Sequence, residues 1–170
     1  MDLEETANES ALGLLRELSG KLPRFSDGRV NFSKTAIAPV ITVFVKFKDE
    51  LLLLKRSEKV GTYRGLWHVI GGYFDEEKSV RQKALEELRE ELGIEKGQVS
   101  MIQFGKPAEF SDAKIKKVWV VHPVLVELSE KPEVRLDWEH TAFKWVHPSD
   151  ITSFKTVPGL KEAFEEFARQ

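Results

Sequence analysis

Near the middle of the 170-residue chain, Glu87, Glu90 and Glu91 stand at i, i+3 and i+4 within the run VRQKALEELREEL. On a helix of about 3.6 residues per turn, that spacing gathers the three carboxylates on one stripe. Ala84, Leu85, Leu88 and Leu92 fall on a separate, apolar face. Such a helix can bury one side and keep its acids on another. The acids repel one another, and within the helix only Lys83, four residues before Glu87, offers relief. A divalent cation offers more, because hard carboxylate oxygens at this spacing suit Mg²⁺ or Mn²⁺. The plain alternative is a solvated charged face. Context favours the cation: Gly71-Gly72, a short loop and then this helix would bring backbone carbonyls close to the carboxylates.

The segment from Gly71 to Ile94, GGYFDEEKSVRQKALEELREELGI, resembles the Nudix box. That box reads Gly, five residues, Glu, seven residues, Arg-Glu-hydrophobic, any residue, Glu-Glu, any residue, Gly-hydrophobic. Aligned on Gly93, the chain supplies Gly72, Glu87, Leu88, Glu90, Glu91, Gly93 and Ile94 in register. Two positions depart. Lys78 stands where the first Glu belongs, with Glu77 beside it, and Glu86 stands in place of the Arg. In the family that Arg helps orient the box carboxylates. The departures have opposite sign, which admits a swapped Lys78–Glu86 pair. Trp67, the run Leu53 to Arg56 and the run Glu139 to Trp145 extend the likeness to residues 37–169.

The resemblance implies a Nudix-type α/β/α sandwich with a central mixed sheet. It also implies hydrolysis of a nucleoside diphosphate linked to another group, with Mg²⁺ or Mn²⁺. A diphosphate presents several negative oxygens, so attack by water needs that charge neutralised and the water oriented. A cation held by Glu87, Glu90 and Glu91 can do both, and by family analogy the carbonyl of Gly71 adds a ligand. A carboxylate must accept the water's proton. Glu87, Glu90 and Glu139 are the candidates for catalytic work, with Glu90 and Glu139 preferred as acceptor. Arg56, at a strand end that the family places beside the phosphates, is the candidate diphosphate clamp. A narrower likeness, LDWEHTAFKWVHPSDI…TVPGL over residues 136–160, is to archaeal Nudix proteins, some joined to a translation-initiation-factor-2B-like domain.

Several elements must position these groups. Leu12, Leu15, Leu18 and Leu22 mark an amphipathic helix over residues 3–21, and a polar segment follows to Thr35. Residues 1–36 therefore read as a helical extension and linker, laid against the domain or a partner, and residues 37–170 as the Nudix domain. Strands are expected at Ala38–Phe47, Leu51–Arg56, Val99–Phe104, Lys117–Leu128, near Val134 and at Phe143–Val146. Ser79 and Gln82 form a capping box for the carboxylate helix, and Gly93 ends it. Helices are also expected at Pro148–Ser153 and Leu160–Ala168.

Composition narrows the partners. There is no cysteine, which excludes disulfides, thiolate metal sites and a cysteine nucleophile, and disfavours an isopentenyl diphosphate isomerase. A net charge of -2 gives no basic field for a nucleic-acid polymer or an anionic membrane. No apolar run reaches the ~20 residues of a membrane span, and the acidic start carries no export signal, so a cytoplasmic protein is expected. The expected partner is a nucleoside-diphosphate-type small molecule. A homodimer is open, with the N-terminal helix as the element to be exchanged or paired. Beyond Tyr73 there is no tyrosine, one marker associated with diadenosine-polyphosphate hydrolases. The four histidines, His68, His122, His140 and His147, show no ligand spacing and read as structural. Trp67 and Trp145 read as packing, while Phe110 and Trp119 stay ambiguous. The rival reading is a non-hydrolytic Nudix-fold module that binds a nucleotide or protein, and Lys78 and Glu86 are the features that favour it.

Overall fold

The computed structural model describes every residue from Met1 to Gln170. The strands are β1 (Ile37–Phe47), β2 (Glu50–Arg56), β3 (Trp67–His68), β4 (Ile70–Tyr73), β5 (Val99–Phe104), β6 (Ala108–Asp112), β7 (Lys117–Leu128) and β8 (His140–Val146). The α-helices are α1 (Leu3–Ser19), α2 (Val80–Leu92) and α3 (Leu160–Ala168). The nearly unbroken apolar runs of β1, β2 and β7 belong to strands covered on both faces. Their side chains alternate with period two. Ile41, Val43, Val45, Leu52, Leu54, Val124 and Val126 enter a core with Ala84, Leu88 and Leu92 of α2 and Ala7, Ala11 and Leu15 of α1. Phe44, Leu51, Leu53 and Leu125 enter a smaller core with Leu160 and Phe167 of α3. The result is helix, sheet, helix.

The sheet is mixed. β1 and β7 run parallel from Ile37–Val118 to Lys46–Glu127, and every other pairing is antiparallel. On its other edge β1 is shared: residues 40–43 pair with β4, while only Lys46 and Phe47 pair with β2. Strand β2 then turns to β8 and β3.

Gly71-Gly72 lies near the end of the short strand β4, opposite Thr42 and Ile41. Three expectations change. No strand forms near Val134; that segment crosses the end of α2, where Arg135 N–H donates to the Leu92 carbonyl at 3.1 Å. Strand β6 appears where none was expected, because β7 pairs with it from Val121–Ala108 to Lys117–Asp112. Pro148–Ser153 is a 3-10 helix. The N-terminal helix packs on its own chain: Ala7 and Ala11 are fully buried, and Asn8 Oδ1 accepts from Val80 N–H at 2.7 Å. Its apolar face is thus occupied. No helix is long and apolar enough to cross a membrane.

Candidate active site

Helix α2 forms one wall of a cleft of about 750 Å³. Its start is fixed by the expected capping box: Ser79 Oγ accepts from Gln82 N–H, and the Gln82 side chain accepts from Ser79 N–H. Its end is fixed by Gly93 in the left-handed region, φ 69°, with Ile94 N–H donating back to the Leu88 carbonyl. Between these caps the acids separate by depth. Glu91 is 2% exposed and Glu87 8%, whereas Glu90 stands exposed at the mouth. The shared stripe is real, and its inner part is buried.

The double glycine lets this happen. A Cβ on Gly72 would stand 3.0 Å from Glu87 Oε1, and one on Gly71 would stand 2.8 Å from His68 Nε2. The bare Gly72 lets strand β4 lie directly against the Glu87 carboxylate, and the bare Gly71 leaves room for the His68 ring. Lys83 reaches the same place from α2. Its Nζ is 3.1 Å from Glu87 Oε1, 3.3 Å from Asp75 Oδ1 and 3.7 Å from Glu76 Oε1. Burial works against the Lys83 charge, but Glu87 and Asp75 outweigh it and hold the amine charged. One ammonium among so many carboxylates leaves excess negative charge. Burial accordingly raises Glu87 and Asp75 above the ordinary carboxylate range despite their partner. Glu91 lies well above it, through burial first and the Glu87 charge second.

Across the cleft, Glu139 is pushed up to about 7 by burial and by the charges of Asp137 and Glu87, with Arg56 opposing. The Arg56 side chain donates through Nε to the Thr62 carbonyl at 3.0 Å and has no carboxylate in ion-pair range. Gly71, Glu87, Glu90, Glu91, Glu139 and Arg56, the residues singled out from sequence, all line this one cleft. As the side chains stand, no three acids or histidines converge closely enough to enclose an ion. The donor set nonetheless suits a hard divalent cation. Glu91 Oε2 is buried without a hydrogen-bond partner, and a cation there would satisfy it and offset the charge of Glu87 beside it.

The pairing of Lys83 with Glu87 that the helical spacing offered is formed, at 4% exposure of the lysine, but sequence reasoning missed other contributors. Asp75 is buried at 6% beside them. The His68 ring is pushed down to about 3 by burial and Arg56, and its Nδ1 lacks a partner. His140 Nε2 approaches Glu91 Oε2 at 3.9 Å and its Nδ1 approaches Asp137 at 3.4 Å. Spacing could not reveal these histidines, since β2 brings them in by pairing Leu54 with His68 and Arg56 with His140. At the far end of the cleft, Tyr63 donates its hydroxyl to Asp112 Oδ2 at 2.7 Å and accepts from Trp119 Nε1 at 3.1 Å. That pair of bonds holds the loop after β2 against the β6–β7 hairpin, with Tyr63 at a left-handed φ of 54°. Trp67 packs edge-on against Phe154, as a packing residue should.

Lys78 and Glu86 meet. Lys78 Nζ lies 2.8 and 3.0 Å from the two Glu86 oxygens and 3.0 Å from Glu76 Oε1. The loop and helix are joined there by a pair of reversed sign.

The NUDIX domain family model matches residues 36–167. The chain belongs to the NUDIX family. The mouse bis(5'-nucleosyl)-tetraphosphatase [asymmetrical] is 29% identical over 118 residues, covering 69% of this chain and 77% of that protein. A MutT protein from Methanosarcina mazei Go1 is 26% identical with a TM-score of 0.62, covering 78% and 94% of the two chains. An Ap4A hydrolase from C. elegans, seen in a binary complex, has the same TM-score at 21% identity, covering 78% and 96%. The α/β/α sandwich is thus that of the NUDIX family, and the chain is a hydrolase acting on phosphorus anhydrides.

Proposed function

We propose that this cleft hydrolyses a nucleoside diphosphate linked to a further group, in the cytoplasm, by attack of water on phosphorus. The observation that carries the reading is the convergence of Glu87, Glu90, Glu91, Glu139 and Arg56 on one cleft, with two glycines admitting the backbone beside them. Glu87, Glu90, Glu91 and the carbonyl of Gly71 would hold Mg²⁺ or Mn²⁺. A cation so held neutralises phosphate charge and makes the attacking water more acidic. Glu139 accepts the water's proton, and its raised proton affinity suits that exchange near neutral pH. Glu90, exposed at the mouth, is the second candidate. Arg56, free of any carboxylate partner, clamps the diphosphate oxygens. Lys83 holds Glu87 in place and opposes the upward pull of burial on its proton affinity.

The relatives' names make bis(5'-nucleosyl) tetraphosphates the first substrates to try. The lack of a tyrosine beyond Tyr73 does not stand against them, since the likeness holds without it. The rival, a non-hydrolytic module, rests on Lys78 and Glu86, and their ion pair supplies the support that loop and helix would otherwise lack. The test is a screen of nucleoside-diphosphate compounds and bis(5'-nucleosyl) tetraphosphates with Mg²⁺ or Mn²⁺ in ¹⁸O-enriched water. Hydrolysis puts one ¹⁸O into a phosphate product. Nucleotide binding without turnover of any compound would favour the rival.

A further inference from the structure

Trp138 is the most exposed large aromatic side chain of the protein, at 61%, and it belongs to neither apolar core. The backbone around it is fixed all the same. Ser57 N–H donates to the Glu139 carbonyl at 2.7 Å, Glu139 N–H to Asp137 Oδ1 at 3.0 Å, and His140 N–H to the Asp137 carbonyl at 3.4 Å. An indole presented on a fixed loop loses little freedom when a ligand covers it. Trp138 also lines the cleft, together with Glu139, Glu90 and Arg56.

We propose that Trp138 is the stacking platform for the nucleobase of the substrate; this rests on the nucleotide reading above. The occupant follows from three features. A cleft of about 750 Å³ is far larger than a diphosphate and lies within the range of sites for whole small molecules. Trp138 is the chain neighbour of Glu139, and both line the same cleft. Finally, Asp137 and Glu139, the chain neighbours of the indole, offer no cation to a further phosphate. The exposed indole face suits a flat ring, which it holds by stacking. Arg56 then takes the charged end and Trp138 the aromatic end of one ligand.

Intrinsic fluorescence gives a direct test, because the chain has only four tryptophans: Trp67 and Trp145 pack against the cores, and Trp119 is buried at the far end of the cleft, bonded to Tyr63. In Mg²⁺, ADP should quench the emission, and Trp138→Phe should remove most of that quench while calorimetry finds ADP affinity within about threefold. Trp138→Ala should weaken ADP and raise the KM of nucleotide substrates about tenfold, with kcat nearly unchanged. Inorganic pyrophosphate should bind both variants as it binds the wild type. The proposal is overturned if Trp138→Ala leaves ADP affinity unchanged, or weakens pyrophosphate as much as ADP. It is equally overturned if the variant's main effect is to dissolve a dimer. Should the wild type hydrolyse nothing while ADP still binds through Trp138, hydrolysis falls and the platform stands. Turnover that depends on Glu91 but ignores Trp138 would do the reverse, keeping hydrolysis and removing the platform.

Discussion

Glu139 and Glu91 differ in what their surroundings ask of them. Glu91 is sealed among acids, its proton affinity raised by burial first and by the Glu87 charge second, and a cation would offset both. Glu139 sits at the edge, with a proton affinity near neutrality set by burial first and by Asp137 second. If Glu139 accepts the water's proton, it must be ionised, and at saturating Mg²⁺ kcat/KM should rise with pH up to an apparent value near or below 7. Asp137→Asn keeps the oxygen that accepts from Glu139 N–H but removes a negative neighbour. The acid limb should therefore move to lower pH, read from a pH–rate profile of the two proteins. An unmoved limb would take the proton-accepting role away from Glu139.

At the scale of elements, the loop–helix unit is held from two sides. Lys78 and Glu86 join it internally, while α1 grips it from outside through Asn8 and a two-pronged Glu4–Arg81 pair at 2.7 and 2.8 Å. The half-exposed Lys78–Glu86 pair should contribute only about 0.2–1 kcal/mol. Lys78→Glu with Glu86→Arg together should keep turnover and melting temperature, and each alone should lower them modestly. A double-mutant cycle reads the coupling, and purely additive effects would remove it. Asn8→Ala unsatisfies the Val80 N–H and should cost about 1 kcal/mol of stability, measured by urea denaturation. Loss of α1 altogether should cost far more, since Ala7, Ala11 and Leu15 are part of the main core. The caps of α2 were legible in the sequence because capping is local chemistry: Ser79, Gln82 and Gly93 act within a few residues of themselves. The long apolar strands were legible for the same reason. Strand β6 was not, because its mixed residues become a strand only by pairing with β7. The apolar signal at Val134 was genuine burial, but the residue packs on the core as a loop. Helical spacing gave the stripe of Glu87, Glu90 and Glu91 but not its depth, which the close approach of β4 decides.

At the scale of the whole molecule, the buried acids set a tension between folding and ionisation. Glu87, Glu91 and Glu139 hold protons more tightly in the fold than the ordinary value of 4.5. A raised carboxylate favours the folded state while protonated, and that contribution fades as pH climbs from about 4.5 through the folded value, about 7 for Glu139. Burial lowers His68, His122 and His140, which adds stability as pH climbs towards their ordinary 6.5, so the net loss of melting temperature in the metal-free protein should appear between pH 6.5 and pH 8. Mg²⁺ or Mn²⁺ should restore more of it at pH 8 than at pH 5, because the cation takes the place of the protons. Equal effects of the cation at both pH values would argue that it binds elsewhere. The central claim, that these carboxylates hold the cation that hydrolysis needs, is tested most directly by titrating Mg²⁺ into nucleotide hydrolysis by the wild type, Glu91→Gln and Glu86→Gln in parallel. Glu91→Gln keeps the volume but removes a negative ligand, so turnover should fall by about two orders of magnitude or more, with the half-saturating Mg²⁺ concentration raised. Glu86→Gln, whose partner is Lys78, should cost far less. Wild-type turnover by Glu91→Gln at low Mg²⁺ would contradict the assignment.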